Sequence, residues 1–300
     1  MVEKRMFAEK FYTWKDFRCA YEVYATNQSH PPLLLIHPIG VGLSRLFWRR
    51  FGDAWLKTSQ PNPIYNPDLL GCGANAQPRF AYYPEDWAQQ LHYFIQEIVK
   101  TPVIVVCQGA LLPVAITLTD IAPHLIKGLV LAGPPTWQLL SEDKTSFNQR
   151  LAWNLFDSPL GTYFYRYARR RQFLQSFSVK QLFAKAVDVD EQWLNTLQAG
   201  AKNLESRYAV FSFLSGFWRQ DYSAMIAKIN QPTFVVLGEQ ASSISRDVEI
   251  ETPKQRLESY LKGFTNCQGT IIPGRNVLPY ESTQDFVSVL SDILRKEDWV

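Results

Sequence analysis

Residues 103–112 read Val-Ile-Val-Val-Cys-Gln-Gly-Ala-Leu-Leu. Four β-branched apolar residues in a row suit a strand buried on both faces, and a small-residue turn then leads into a helix-compatible stretch. A strand turning sharply into a helix is the repeating unit of a parallel sheet covered by helices. Similar units recur along the chain. Phe17–Thr26 alternates loosely and reads as an opening strand. Pro31-Pro32 launches the apolar run Leu33–Ile36, closed by His37-Pro38-Ile39-Gly40-Val41-Gly42 and followed by an aromatic helix around Phe47, Trp48 and Phe51. Ile64-Tyr65-Asn66, Ile126–Gly133, Pro232–Gly238 and Gly269–Gly274 supply further strands. Pro84-Glu85-Asp86 starts a helix with proline and acids in its first turn, and Trp87, Leu91, Phe94, Ile95 and Ile98 then share one face. A last helix carries Phe286, Val289, Leu290, Ile293 and Leu294.

Between about Trp137 and Ile229 the pattern turns helical and aromatic, without a strand. The expected architecture is α/β: a doubly wound, mostly parallel sheet with an inserted helical cap. A core spanning 1–136 and 230–300 is interrupted by a cap at 137–229. Such a cap covers the carboxyl ends of the strands, where ligands bind in sheets of this kind.

The chain has 300 residues, 46% of them hydrophobic, enough for one large domain. Nine Trp, nineteen Phe and fourteen Tyr exceed ordinary usage, and such a surplus lines an apolar cavity or fills a bulky core. Cys19, Cys72, Cys107 and Cys267 are scattered, so neither a zinc site nor a disulfide framework is expected, and a reducing compartment fits. No metal and no cofactor is implied. The segment MVEKRMFAEKFYTWKDF lacks the apolar stretch of a signal peptide, and no run reaches membrane-spanning length. A cytoplasmic protein, with peripheral membrane attachment as an option, is expected.

Charge is uneven. Ser158–Val187 has no acid but contains Arg166, Arg169, Arg170, Arg171, Lys180 and Lys185; with a net charge of +3 overall, the rest of the chain nets −3. Local basicity of this kind argues against general nucleic-acid binding. Leu160, Tyr163, Phe164, Tyr167 and Ala168 recur at helical spacing, with Arg166, Arg169 and Arg170 grouped beside them. The trio is either a solvated face of the cap or a contact surface for an anionic membrane or acidic protein. Phe173, Leu174, Phe177, Leu182 and Phe183 continue the apolar supply and would roof a cavity.

Taken in order, the loop His37-Pro38-Ile39-Gly40, the segment Pro67-Asp68-Leu69-Leu70-Gly71-Cys72-Gly73, the strand–turn–helix at 103–112, the cap and the two late strands resemble the α/β-hydrolase superfamily over nearly the whole chain. The nearest likeness is to cyanobacterial and plastid members. In that family Gly-x-Ser-x-Gly forms a strained elbow presenting the nucleophile. Here the pattern falls on Cys107-Gln108-Gly109-Ala110-Leu111, which puts Gly109 at the serine position and Leu111 at a position usually held by glycine. Glycine adopts the φ > 0 of such a turn without penalty. The acid and base positions, in Gly238-Glu239-Gln240-Ala241-Ser242 and Pro273-Gly274-Arg275-Asn276-Val277-Leu278-Pro279, are Ala241 and Val277. By the resemblance all three catalytic positions are vacant.

Histidine usage agrees. The four histidines are His30, His37, His92 and His124, so none from residue 125 onward can serve as base. His37 belongs to the oxyanion loop and reads as structural; His92 and His124 read as solvated. Cys107 is a rescue candidate, since a register shifted by two gives Val105-Val106-Cys107-Gln108-Gly109, resembling the dienelactone-hydrolase variant. A buried packing thiol is the plainer reading. The resemblance also implies an oxyanion hole from the backbone N–H groups of Ile39 and Ala110, a ligand-binding region with Gly109. The expectation is an α/β-hydrolase fold without a working triad, binding an apolar small molecule or a protein partner as a non-catalytic binding or scaffolding protein, a pseudoenzyme. The alternative is a true hydrolase, esterase or acyl transferase using Cys107 or another non-standard nucleophile.

Overall fold

The continuous apolar runs become the middle of one sheet. Its strands are β1 (Lys10–Trp14), β2 (Phe17–Tyr24), β3 (Leu33–Ile36), β4 (Ile64–Pro67), β5 (Val103–Gln108), β6 (Ile126–Ala132), β7 (Thr233–Gly238) and β8 (Cys267–Ile272). In the computed structural model, which describes residues 8–24, 30–59, 62–142, 146–245 and 249–300, they are ordered β1-β2-β4-β3-β5-β6-β7-β8. β1/β2 and β2/β4 pair antiparallel, and every later pair is parallel. The doubly wound, mostly parallel sheet is as expected. The last strand starts and stops two residues before the expected Gly269–Gly274. The end of the expected Phe17–Thr26 strand, and the first residues of the N-terminal segment, lie outside the described residues.

Helices cover both faces. Before β6 come α1 (Arg49–Trp55), α2 (Pro84–Phe94) and α3 (Leu112–Ile121). Between β6 and β7 the described residues form only helices and turns: α4 (Gln138–Ser141), α5 (Ser146–Phe156), α6 (Pro159–Ala168), α7 (Arg171–Phe177), α8 (Glu191–Gly200), α9 (Arg207–Ser215) and α10 (Ser223–Ile226). This helical insertion is the one the sequence pattern implies. After β7 come α11 (Pro253–Gly263), α12 (Leu278–Glu281) and α13 (Thr283–Lys296).

Strand alternation distributes β5 between two cores. Val103, Val105 and Cys107 join Trp87, Leu91, Val114 and Ile116 of α2 and α3. Ile104 and Val106 join Phe51 of α1 and Phe286, Leu290 and Leu294 of α13. At about 1.5–3 kcal/mol for each buried large apolar side chain, these two layers supply the main stabilising term. β3 has β4 on one side and β5 on the other. The chain therefore crosses over at β3, and the crevice outside the carboxyl ends of β3 and β5 is a topological switch point, where open α/β sheets bind ligands.

Two elements escape the sequence pattern. β1 pairs with β2 through a two-residue turn, Lys15-Asp16, whose φ values are 46° and 66°. Glycine or asparagine would normally announce such a turn. The polar helix α11 begins with a reciprocal cap between Thr252 and Gln255.

Candidate functional site

Ile36 and Cys107 are register partners on adjacent parallel strands. Ile39 and Ala110 each lie three residues beyond that pair, so their loops leave the sheet side by side. β5 is followed at once by Gly109 at φ 71°, the left-handed backbone expected of a strand-to-helix elbow, and α3 follows within a turn. A Cβ added at Gly109 would meet no atom within 4 Å among the described residues. The space over the elbow is open. Neither the Ile39 nor the Ala110 N–H donates to a protein acceptor among the described residues. Both residues are half-buried.

The other two loops close on this elbow through amide side chains. Gln108, 1% exposed, donates from Nε2 to the Asn276 carbonyl at 2.7 Å. Its Oε1 is buried with no hydrogen-bond partner. Asn276 Nδ2 donates to the carbonyls of Gln181 at 2.7 Å and Ser242 at 3.1 Å, while Ser242 N–H donates to Asn276 Oδ1 at 3.3 Å. Asn276 N–H donates to the Leu182 carbonyl at 3.0 Å, tying the loop after β8 to the helical insertion. Arg275 adds bonds to Ser242 Oγ and to the Lys180 carbonyl. The Arg275 N–H donates to Glu281, whose carboxyl is raised by burial against its two N–H donors. Each of Gln108, Asn276 and Ser242 is the chain neighbour of Gly109, Val277 or Ala241. Sequence reading passed over all three, because each bond spans loops far apart in the chain. Val277 and Ala241 themselves are buried in the apolar layers.

The expected oxyanion-loop histidine is structural. His37 is fully buried, accepts the Leu69 N–H at Nε2 (3.1 Å) and donates from Nδ1 to the Pro38 carbonyl at 2.8 Å. Burial lowers its pKa and keeps the ring neutral. His30 and His124 precede β3 and β6, at the strand ends opposite Gly109. His92 is half-buried on α2 and His124 is exposed.

Cys107 does not stand at the turn. It lies inside β5, 2% exposed, and burial pushes its thiol well above the ordinary range. A protonated thiol in the apolar layer is not a nucleophile. Among the described residues no group of three or more His, Cys, Asp and Glu could hold a metal.

The Pro67–Gly73 segment proves to be a buried charge cluster. Asp68 accepts the Arg45 backbone N–H at 2.8 Å, the Arg45 guanidinium and the Ala74 N–H at 2.8 Å. Glu9 also pairs with Arg45, and Glu22 pairs with Arg49 at 2.6 Å. Burial alone would lower the pKa of Arg45, but Asp68, Glu22 and Glu9 outweigh it. A Cβ at Gly73 would lie 2.2 Å from the Asp68 carboxylate, which restricts that position to glycine. This cluster anchors the loop whose Leu69 N–H holds His37.

Arg166, Arg169 and Arg170 do not share a face. α6 ends at Ala168, and Arg169 turns inward to the Ala201 and Lys202 carbonyls at 3.4 and 3.1 Å, where a cation suits the end of α8. Arg166 and Arg170, four residues apart, remain exposed over the rings of Tyr163 and Tyr167. Leu174, Leu182 and Phe183, expected to roof a cavity, are instead packed in the core layer with Phe47 and Trp193, whereas Phe177 is exposed.

The sequence profile of the alpha/beta hydrolase family matches residues 33–289. Among solved structures the chain is similar to a serine hydrolase involved in carbazole degradation (TM-score 0.74, 19% identity, 97% of this chain and 99% of that one covered). It is also similar to a thermophilic esterase from Thermogutta terrifontis (0.73, 16%, 97% and 99%) and to a thioesterase domain from the curacin biosynthetic pathway (0.71, 17%, 96% and 100%). No curated sequence matches the chain. These likenesses correct the expectation of a non-catalytic binding or scaffolding protein: the framework is shared with proteins described as hydrolases and esterases, and the pseudoenzyme reading is withdrawn. The cyanobacterial and plastid placement finds no support in them and is withdrawn as well. Among the described residues no helix is long and apolar enough to cross a membrane.

Proposed function

We infer the function from one premise: the chain belongs to the alpha/beta hydrolase family. The protein hydrolyses esters of apolar carboxylic acids, with water in place of a side-chain nucleophile. Gly109, Ala241 and Val277 are the positions where the fold's nucleophile, acid and base would stand, and Ile39 and Ala110 supply the oxyanion hole. The observation that carries this reading is the open space over Gly109, at the elbow between β5 and α3. Gln108 is held in place by its bond to Asn276, which fixes the elbow beneath that space.

With the ester carbonyl oxygen between the Ile39 and Ala110 amides, the water oxygen bonds to the acyl carbon and the carbonyl electron pair moves onto the held oxygen. Collapse of the tetrahedral species breaks the bond to the alcohol oxygen, which leaves with the proton lost by the water. Carboxylic acid and alcohol are the products. An alcohol in place of water gives acyl transfer by the same geometry. Oxyanion stabilisation and binding without a triad are worth roughly 10³–10⁴ over the uncatalysed rate, and turnover of that scale is expected. We take the helical insertion as a cap at 137–229, whose Gln181 and Leu182 carbonyls meet Asn276, and propose that its apolar composition favours an apolar acyl group.

The test is a panel of aliphatic and aryl esters and thioesters assayed with wild type, Cys107→Ala and Gln108→Met. Turnover above the buffer rate in wild type and Cys107→Ala, reduced in Gln108→Met, is the expected result. No turnover on any substrate, or turnover abolished in Cys107→Ala, would overturn the reading.

A further inference from the structure

The outer side of the helical insertion carries an apolar face that no described element covers. On α5, Phe147, Leu151 and Leu155 recur every four residues and are exposed, Phe147 by 73%. The opposite side of that helix is seated on the body of the insertion, with Gln149 donating to the Gly216 carbonyl and Phe156 stacked on Phe211. α6 repeats the arrangement. Leu160, Tyr163, Phe164 and Tyr167 face outward, Leu160 and Tyr163 67% exposed, while Gly161, Tyr165 and Ala168 are buried. The helices contact each other, so the two stripes form one surface. Single exposed apolar residues are ordinary, but a contiguous set of seven marks a docking site.

Charge identifies the occupant. Neither α5 nor α6 contains an acid, and the exposed cations beside the stripes are Arg150, Arg166 and Arg170. Asp157, between the helices, is engaged by Arg79 at 2.9 Å. Arg171 is neutralised by Glu191. Arg166 and Arg170 lie over tyrosine rings, so each cation sits beside an amphipathic aromatic, the pairing found at the headgroup level of a bilayer. A second copy on this face would bring like charges together with no acid on α5 or α6 to offset them, which argues against self-association.

We propose that the outer face of α5 and α6 docks on an anionic lipid surface, burying Phe147, Leu151, Leu155, Leu160 and Phe164 at the acyl boundary. The arginines and Tyr163 and Tyr167 stay at headgroup level. This is independent of the hydrolytic reading, since it uses no residue of the crevice.

The experiment is flotation of the purified protein with vesicles of phosphatidylcholine alone and of phosphatidylcholine mixed with phosphatidylglycerol, at low and high salt. Wild type should float with the mixed vesicles and lose affinity with salt. Arg166→Gln with Arg170→Gln should bind roughly thirtyfold more weakly, from two lost headgroup attractions. Leu151→Gln with Leu160→Gln should fail to bind even at low salt, with an unchanged circular dichroism spectrum. Wild type that ignores anionic vesicles, or variants that bind as wild type does, would overturn the proposal. Self-association in sedimentation without vesicle binding would overturn it too and assign the face to a second copy.

Discussion

Replacing Gly109 by alanine separates two kinds of glycine in this fold. At φ 71° an L-residue is strained by about 1–2 kcal/mol. The added methyl meets no atom within 4 Å among the described residues, so no clash adds to that strain. Restricting the unfolded chain returns about 0.4–1 kcal/mol, leaving a net loss near 1 kcal/mol. Gly42 is the control. Its φ of 80° imposes the same strain, but its added Cβ would lie 1.9 Å from the Leu197 carbonyl oxygen, on the backbone of α8. Backbone cannot step aside as a side-chain tip can, so Gly42→Ala should lose a further ~3 kcal/mol or more. Urea unfolding followed by circular dichroism measures both. With a shift of about 2–4 °C per kcal/mol, melting should fall by a few degrees for Gly109→Ala and several times that for Gly42→Ala. The methyl at 109 also intrudes on the water site, so ester turnover should drop roughly tenfold to a hundredfold while the fold persists. Equal destabilisation at the two positions would show that the elbow is not open, and the placement of water over Gly109 would fall with it.

Asp68→Asn should destabilise the protein by about 3 kcal/mol in urea unfolding, because Arg45, 3% exposed, loses a charged partner in a buried cluster; a loss under about 1 kcal/mol would show that Glu9 and Glu22 suffice. His37, neutral in the folded chain because burial lowers its pKa, adds a pH dependence of known sign. Below an unfolded value near 6.5 the unfolded state takes up a proton that the folded state refuses, so stability falls by up to ~1.4 kcal/mol per pH unit. The difference between wild type and His37→Gln, measured from about pH 7.5 to about pH 5.5, should shrink as pH falls; a constant difference would mean that the ring is protonated in place.

The strands of the sheet centre were legible because they are apolar on both faces, and a run such as Leu33–Ile36 has no other low-energy place. The elbow was legible because a glycine between a β-branched run and a helix-compatible stretch has few uses. β1 was not, since its turn places Lys15 and Asp16 at positive φ, which is a bargain settled by the pairing with β2 rather than by local preference. The basic stretch was half legible. Helical spacing grouped Arg166 with Arg170, but the end of α6 and the carbonyls of α8 took Arg169 away.

What the chain's own order of residues determined is the layered framework and the absence of histidine near the late strands, since both follow from local pattern and composition. Tertiary structure alone decided the site. Gln108 and Asn276 are 168 residues apart and meet only because parallel pairing delivers the loops after β5 and β8 to one end of the sheet. The same folding encloses Cys107 in an apolar layer, leaves the space over Gly109 empty, and turns seven apolar side chains of α5 and α6 outward. Burial and non-local contact are properties of the packed chain, so no pattern along it could have revealed which polar atom would be left without a partner.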